Sequence, residues 1–229
     1  MILSIETSSD ICSVCIADGE KLIDIIESSE NRSHASHLSV FIDRMMKKSN
    51  IPYSELKAVA VSMGPGSYTG LRIGVSMAKG LCYGLNIPLI SVNTLYSLAL
   101  GFKERNKNLQ KNSLLIPMID ARRMEVYTCI YDENLLPKTE ISAEIIDENS
   151  FSDYSANNML YFFGPGAPKC SSVIRNENVN FIEDIFPCSQ FIANEANRKF
   201  NLKEFEDVAY FEPFYLKDFI AKKPKNKFF

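Results

Sequence analysis

No apolar run in this chain of 229 residues approaches the roughly 20 that a membrane-crossing helix requires. The opening stretch, MILSIETSSD, lacks the basic start and long apolar centre of a signal peptide, so a cytoplasmic location is expected. Net charge is −3 and the sequence pI about 5.6, which leaves no overall positive field to hold a nucleic-acid duplex. Histidine is scarce: there are two, His34 and His37, with Glu30 and Asp43 as the nearest acids, too few to complete a metal site. They read as surface residues near a helix start. Six cysteines are scattered, and the pair Cys12 and Cys15 has no second ligand pair to make a zinc site. Both fall on a strand-like run, where residues three apart face opposite sides, so buried free thiols are expected.

What is present suits a globular protein with a real core. Hydrophobic residues make up 46% and charged ones 23%, in a length that fits one large domain or two small lobes. The runs 1-MILSIE-6, 12-CSVCIAD-18 and 21-KLIDIIE-27, split by short polar turns, predict an antiparallel meander. A helix is expected over about 33–48, with Leu38, Phe41, Ile42, Met45 and Met46 on one stripe. A strand at 58–62, a glycine loop, a helix through about Leu85, a strand at 88–92 and a helix at 94–102 follow. The polar segment 103-KERNKNLQKN-112 reads as a boundary between an N-terminal lobe, 1–103, and a smaller C-terminal lobe, 113–229. Beyond it the order restarts. Residues 5-IETSSDICSVCIAD-18 align without a gap on 119-IDARRMEVYTCIYD-132, so that Glu6 falls on Asp120 and Cys15 on Cys129. A second Gly-Pro-Gly, 164–166, follows the strand-like 159-MLYFF-163, and a helix is expected near 189–200. Repetition of order suggests an internal duplication.

The loop 64-GPGSYTGLRIG-74 can be read in two ways. Gly64 and Gly66 permit positive φ and close approach, Ser67 or Thr69 can cap the next helix, and free N–H groups there make an anion or nucleotide contact. The same residues also serve any tight strand-to-helix turn, and no GK[ST] ending supplies a phosphate-binding lysine. The helix that follows carries Gly70, Gly74, Gly80 and Gly84 between two apolar stripes. Leu71, Val75, Ala78, Cys82 and Leu85 form one; Ile73, Met77 and Leu81 form the other. A helix apolar on most sides is buried on most sides. A partner interface is therefore expected over Leu38, Phe41, Ile42, Met45, Leu71, Gly74, Met77, Ala78 and Leu81, unless the other lobe covers them. Arg122, Arg123 and the basic stretch 217-KDFIAKKPKNKFF-229 read as solvated, or as contacts to RNA phosphate.

The duplicated meander with acids at the strand tips resembles the actin/Hsp70/sugar-kinase (ASKHA) superfamily, an α/β fold of two lobes, here with a shortened second one. In such proteins Glu6 and Asp120 would sit where magnesium or a catalytic base is held; in a truncated copy they can instead orient turns. The segments MILSIETSS, GPGSYTGLRIGVSMAKGL, IPLISVNTL, DARRMEVY and EPFYLK, in this order, look like the TsaB (YeaZ) family of tRNA threonylcarbamoyladenosine biosynthesis proteins. The resemblance implies a non-catalytic subunit that pairs with the catalytic TsaD through its first helix and its glycine-rich helix. The ATPase TsaE joins, tRNA is met through the complex, and ATP and a metal reside in the partners. Alone, the same surface would form a homodimer. The catalytic sibling carries His-x-x-x-His after a Pro-Leu-x-x-Val-Asn strand. Here, after 88-PLISVN-93, Thr94 and Leu98 take those places, and leucine has no lone pair. The rival expectations are a small ASKHA-type ATPase or transferase using Glu6, Asp120 and the glycine loop, and a tRNA-binding module using the tail.

Overall fold

A computed structural model of the protein describes residues 1–28 and 34–217. The basic tail after Lys217, Glu30 and the Ser33 start assigned to the first helix lie outside the described residues. The meander forms as expected: β1 (Ile2–Glu6), β2 (Cys12–Asp18) and β3 (Lys21–Ser28) pair antiparallel. Helix α1 (His34–Lys48), strand β4 (Ala58–Gly64), helix α2 (Tyr68–Leu85), strand β5 (Leu89–Asn93) and helix α3 (Thr94–Arg105) follow. The sheet order is β3-β2-β1-β4-β5, with β4 parallel to β1 and β5 parallel to β4. Strand β1 is buried along its whole length, as a central strand covered on both faces must be. Cys12 and Cys15 point to opposite faces, one into the cluster under α1 and the other into a cluster with Ala17 and Ala193.

The second half repeats the plan. Its strands are β6 (Ser113–Asp120), β7 (Glu125–Thr128), the short β8 (Tyr131–Asp132), β9 (Ser142–Ile145), β10 (Met159–Phe163) and β11 (Val179–Ile182). Read as β9-β7-β6-β10-β11, they have the same order and the same mix of parallel and antiparallel neighbours as the first sheet. Glu6 and Asp120 end the corresponding strands β1 and β6. Gly64 and Gly164 follow the corresponding positions with similar φ, 110° and 99°. Both glycines face a backbone oxygen that a side chain would strike: a Cβ would lie 2.6 Å from Phe214 O at Gly64 and 2.6 Å from Met118 O at Gly164. The shortening lies in the helices. Where the first lobe has α1 and α2, of 15 and 18 residues, the second has single turns, α4 (Ser152–Ser155) and α5 (Ala167–Cys170). The architecture is the two-lobed ASKHA fold with its second copy reduced.

The helices do not respect the expected boundary at 103–113. Helix α3, placed by sequence in the first lobe, sends Leu95, Leu98, Ala99 and Phe102 into the cluster of Leu115, Ile119 and Phe163 on the second sheet. Helix α6 (Ser189–Leu202), placed in the second, sends Ile192 and Ala196 against Ile2, Ala58, Ala60, Ile90 and Val92 on the first. The reason is coverage: α1 and α2 hide only one face of the first sheet, and its other face is apolar too. Each lobe is thus closed by a helix whose nearest sequence neighbours lie in the other.

Candidate functional site

Helix α2 decides what the glycine loop does. Its N-terminus is capped by Ser67, whose Oγ accepts the Gly70 N–H at 3.3 Å. At the other end Asn86 adopts a left-handed conformation, and its N–H closes on the last carbonyls. Between the caps, the β1–β2 turn lies against the helix. Ser67 N–H donates to the Ser8 carbonyl at 2.7 Å, and a side chain at Gly66 would lie 2.5 Å from that same oxygen. At Gly70 a Cβ would meet the Thr7 carbonyl inside 3.0 Å, and at Gly74 it would meet the Thr7 hydroxyl. At Gly64, where the peptide to Pro65 is cis, the Phe214 carbonyl fills the space. The positions Gly64, Gly66 and Ser67, read as a possible anion or nucleotide contact, therefore hold the chain's own carbonyl oxygens. Carbonyls repel the phosphate that such a cradle would take. The loop is a turn packed by its own protein, and Thr69 beside it is exposed and lines a groove along α2.

Glu6 is enclosed behind this turn. Its Oε1 accepts the Ser8 N–H at 2.6 Å and the Ser62 hydroxyl at 2.9 Å, whereas Oε2 is buried with no hydrogen-bond partner. Burial raises its pKa above the ordinary 4.5, against the lowering effect of those bonds. Asp120, its counterpart, is exposed instead: it pairs with the Lys169 ammonium and accepts the Arg122 N–H at 2.8 Å. The two acids are thus in unlike settings, one sealed and one neutralised at the surface. Arg122 and Arg123 form the exposed turn after it, with φ of 72° and 51°. Among the described residues, no group of three or more His, Cys, Asp or Glu is placed to hold a metal ion.

Thr94 and Leu98 are both fully buried. Asn93 caps α3 through the Tyr96 N–H at 3.0 Å, so Thr94 begins the helix, and Leu98 packs beside Gly164. The two histidines depart from the surface reading. His34 is 8% exposed and donates from Nε2 to the Ser9 carbonyl at 2.8 Å; His37 is half-buried with its ring 5.5 Å from Phe41. Asp43 is committed to Lys47 at 2.8 Å. The six thiols are free and buried.

The expected interface needs a larger correction. Leu38, Phe41, Ile42, Met45, Leu71 and Ala78 are buried by this chain's own sheet, and Gly74 lies on Thr7. Burying each large apolar side chain stabilises by about 1.5–3 kcal/mol, so these residues are core and do not face a partner. Both helices turn their main apolar stripe inward because the sheet offers the nearest apolar surface. Met77 and Leu81 are half-buried at the edge of that core. They line an open groove of about 750 Å³ with Tyr68, Arg72, Ile73 and Ser76, and Ala35 of α1 forms its far side. Gly80 lies in the same groove. At Gly80 and Gly84 an added Cβ would meet nothing within 4 Å among the described residues. The four helix glycines thus divide: two admit the chain's own turn, and two face open space.

The last described segment was missed as a structural element. After α6 the chain pairs with the β5 edge, Glu206 N–H to Leu89 O at 2.9 Å, and Lys79 of α2 donates to the carbonyls of Ala209 and Phe211. Phe214 N–H then bonds Met63 O at 2.7 Å, Tyr215 packs at a tilt against Tyr68 with ring centroids 4.8 Å apart, and Lys217 ion-pairs with Glu125 of β7. The motif EPFYLK carried the only signal for it.

A duplicated ASKHA core with a filled glycine loop and an open helical groove defines the class. The family model described as TsaD, tRNA N6-adenosine threonylcarbamoyltransferase, matches residues 22–210, and the chain belongs to that family, on its TsaB (YeaZ) side. A tRNA threonylcarbamoyladenosine biosynthesis protein TsaB from Buchnera aphidicola subsp. Acyrthosiphon pisum is 35% identical over 134 residues, 58% of this chain and 58% of that protein. The chain spans a little over half the length of the curated relatives it matches. YeaZ from Pseudomonas aeruginosa superimposes with a TM-score of 0.81 at 21% identity, over 94% of this chain and 99% of that one. An activator of 2-hydroxyisocaproyl-CoA dehydratase from Clostridium difficile with bound ADPNP does so at 0.51 and 10% identity, over 90% and 98%. The last two likenesses are ones of fold. None of the described helices is long and apolar enough to cross a membrane.

Proposed function

We propose that the chain is a non-catalytic subunit in the synthesis of threonylcarbamoyladenosine next to the anticodon of tRNA, acting in the cytoplasm. In this reading its α1–α2 face docks the catalytic subunit TsaD, TsaE joins the pair, and tRNA is engaged by the assembly. ATP and the metal belong to those partners, and this chain makes or breaks no bond. The family match and the TsaB relatives support the pathway. The observation that carries the docking reading is the groove between α1 and α2, with Gly80 and Gly84 opening onto it or beside it. A glycine inside a helix costs about 1 kcal/mol relative to alanine, and among the described residues no atom uses the space these two leave. A second backbone passing close to α2 does use it. Without that partner the face pairs with a second copy, giving a homodimer that competes with the heterodimer. The buried Thr94 and Leu98 support the absence of chemistry in this chain, since neither supplies an imidazole.

The test is to mix the chain with TsaD and TsaE and measure tRNA modification with each omitted in turn, alongside Ser76→Arg, which puts a charge in the groove at an exposed site. Modification is expected only with all three, and its loss with Ser76→Arg while that variant melts as the parent does. Modification without this chain, or ATP turnover by this chain alone, refutes the reading.

A further inference from the structure

We infer that the segment Glu212–Lys217 is a strap that sets the mouth of the docking groove and couples it to the second lobe, with Tyr215 as the positioning residue. The inference rests on the groove being the docking face. The groove begins at the first turn of α2, where Tyr68 and Arg72 line it. These two side chains are tied to each other, Arg72 Nη1 donating to Tyr68 Oη at 3.0 Å with its guanidinium 5.4 Å from the Tyr68 ring centre. Tyr215 packs against the same ring in a tilted arrangement, at 4.8 Å and 38°, from the strap side.

The strap is seated at both ends. Upstream, Phe214 donates to the Met63 carbonyl and lodges its own carbonyl in the space that Gly64 leaves, so it clamps the loop from which α2 starts. Downstream, the Lys217 ammonium reaches the Glu125 carboxylate on β7, and the Glu125 carbonyl accepts from Lys169, which also pairs with Asp120. A continuous series of contacts therefore runs from the second hairpin tip through Lys217 and Tyr215 to Tyr68 and Arg72. Core packing is not involved: Tyr215 is 37% exposed and Lys217 lies at the surface. Removing either side chain alters the coupling without opening a cavity.

The experiment uses the full chain as Tyr215→Ala and Lys217→Ala, with amide hydrogen exchange of residues 64–76 in the free protein and affinity for TsaD as readouts. An aromatic pair contributes enough that its loss should weaken binding by roughly three- to tenfold. Exchange over 64–76 should rise in both variants, and the Lys217→Ala affinity should fall in the same direction by a smaller factor. Tyr215→Phe, which keeps the ring contact, should restore both readouts. Unchanged exchange over 64–76 in Tyr215→Ala overturns the strap, because that readout needs no partner. Raised exchange with parental affinity overturns the coupling to docking, provided Ser76→Arg abolishes binding in the same assay. If Ser76→Arg also binds normally, the docking reading has failed, and the exchange result alone decides the strap.

Discussion

Alanine at Gly70 and at Gly80 should change stability in opposite directions, although both sit inside the same 18-residue helix. At Gly80 the added methyl meets nothing within 4 Å, so the substitution gives the helix its propensity gain of about 1 kcal/mol. For a protein of this size that is a rise in melting temperature of about 2–4 °C. At Gly70 the methyl would enter the Thr7 carbonyl oxygen, a backbone atom held in a buried turn that cannot rotate away. Overpacking of this kind costs about 3 kcal/mol or more, which exceeds the propensity gain and leaves a net loss near 2 kcal/mol. The melting temperature should then fall by about 4–8 °C. Thermal unfolding followed by far-ultraviolet circular dichroism at one protein concentration measures both, with urea unfolding as a check. A Gly70→Ala variant as stable as the parent refutes the argument that the early glycines serve the chain's own turn. A destabilised Gly80→Ala refutes the claim that Gly80 faces open space. The more stable Gly80→Ala protein should nonetheless bind TsaD less well, because it fills the space assigned to the partner.

Further outcomes are expected from the buried groups. The folded-state pKa of Glu6 is raised, so its contribution to stability is fully present below the unfolded value and is lost as pH rises through the folded one. Glu6→Gln should therefore gain in melting temperature over the parent as pH increases from about 4.5 towards neutrality, and a difference constant with pH would contradict this. Burial pushes the thiols of Cys12, Cys82 and Cys170 up to about 11 and those of Cys15 and Cys188 up to about 12. Ellman's reagent at pH 8 should thus react slowly with the native protein and quickly with all six thiols in guanidinium; rapid reaction of a native thiol would count against the core as described. Placing histidines at both Thr94 and Leu98 should cost about 3 kcal/mol, since an imidazole would replace a fully buried leucine beside Gly164. Added zinc should not recover the loss, and recovery would show that the site can still be assembled.

Periodicity and turn chemistry determined the elements and their order. Alternation in 12-CSVCIAD-18 set Cys12 and Cys15 on opposite faces, and the ungapped match of residues 5–18 to 119–132 announced two sheets of one topology, because both features are local to the chain. The same local signals located α1, α2 and the loop between β4 and α2. Sequence could not say which side of α1 and α2 is covered. An apolar stripe reads alike whether a partner or the protein's own sheet lies against it, and here the sheet took Leu38, Phe41, Ile42, Met45, Leu71 and Ala78. Nor could four glycines of one helix be told apart, since what separates Gly70 from Gly80 is a turn 63 residues upstream in one case and open space in the other. The crossing of α3 and α6 between lobes, the strap over the glycine loop and the sealing of Glu6 were likewise decided by tertiary contacts between distant segments. Hydrophobic burial is indifferent to sequence distance, so the chain closes each apolar face with whatever segment reaches it.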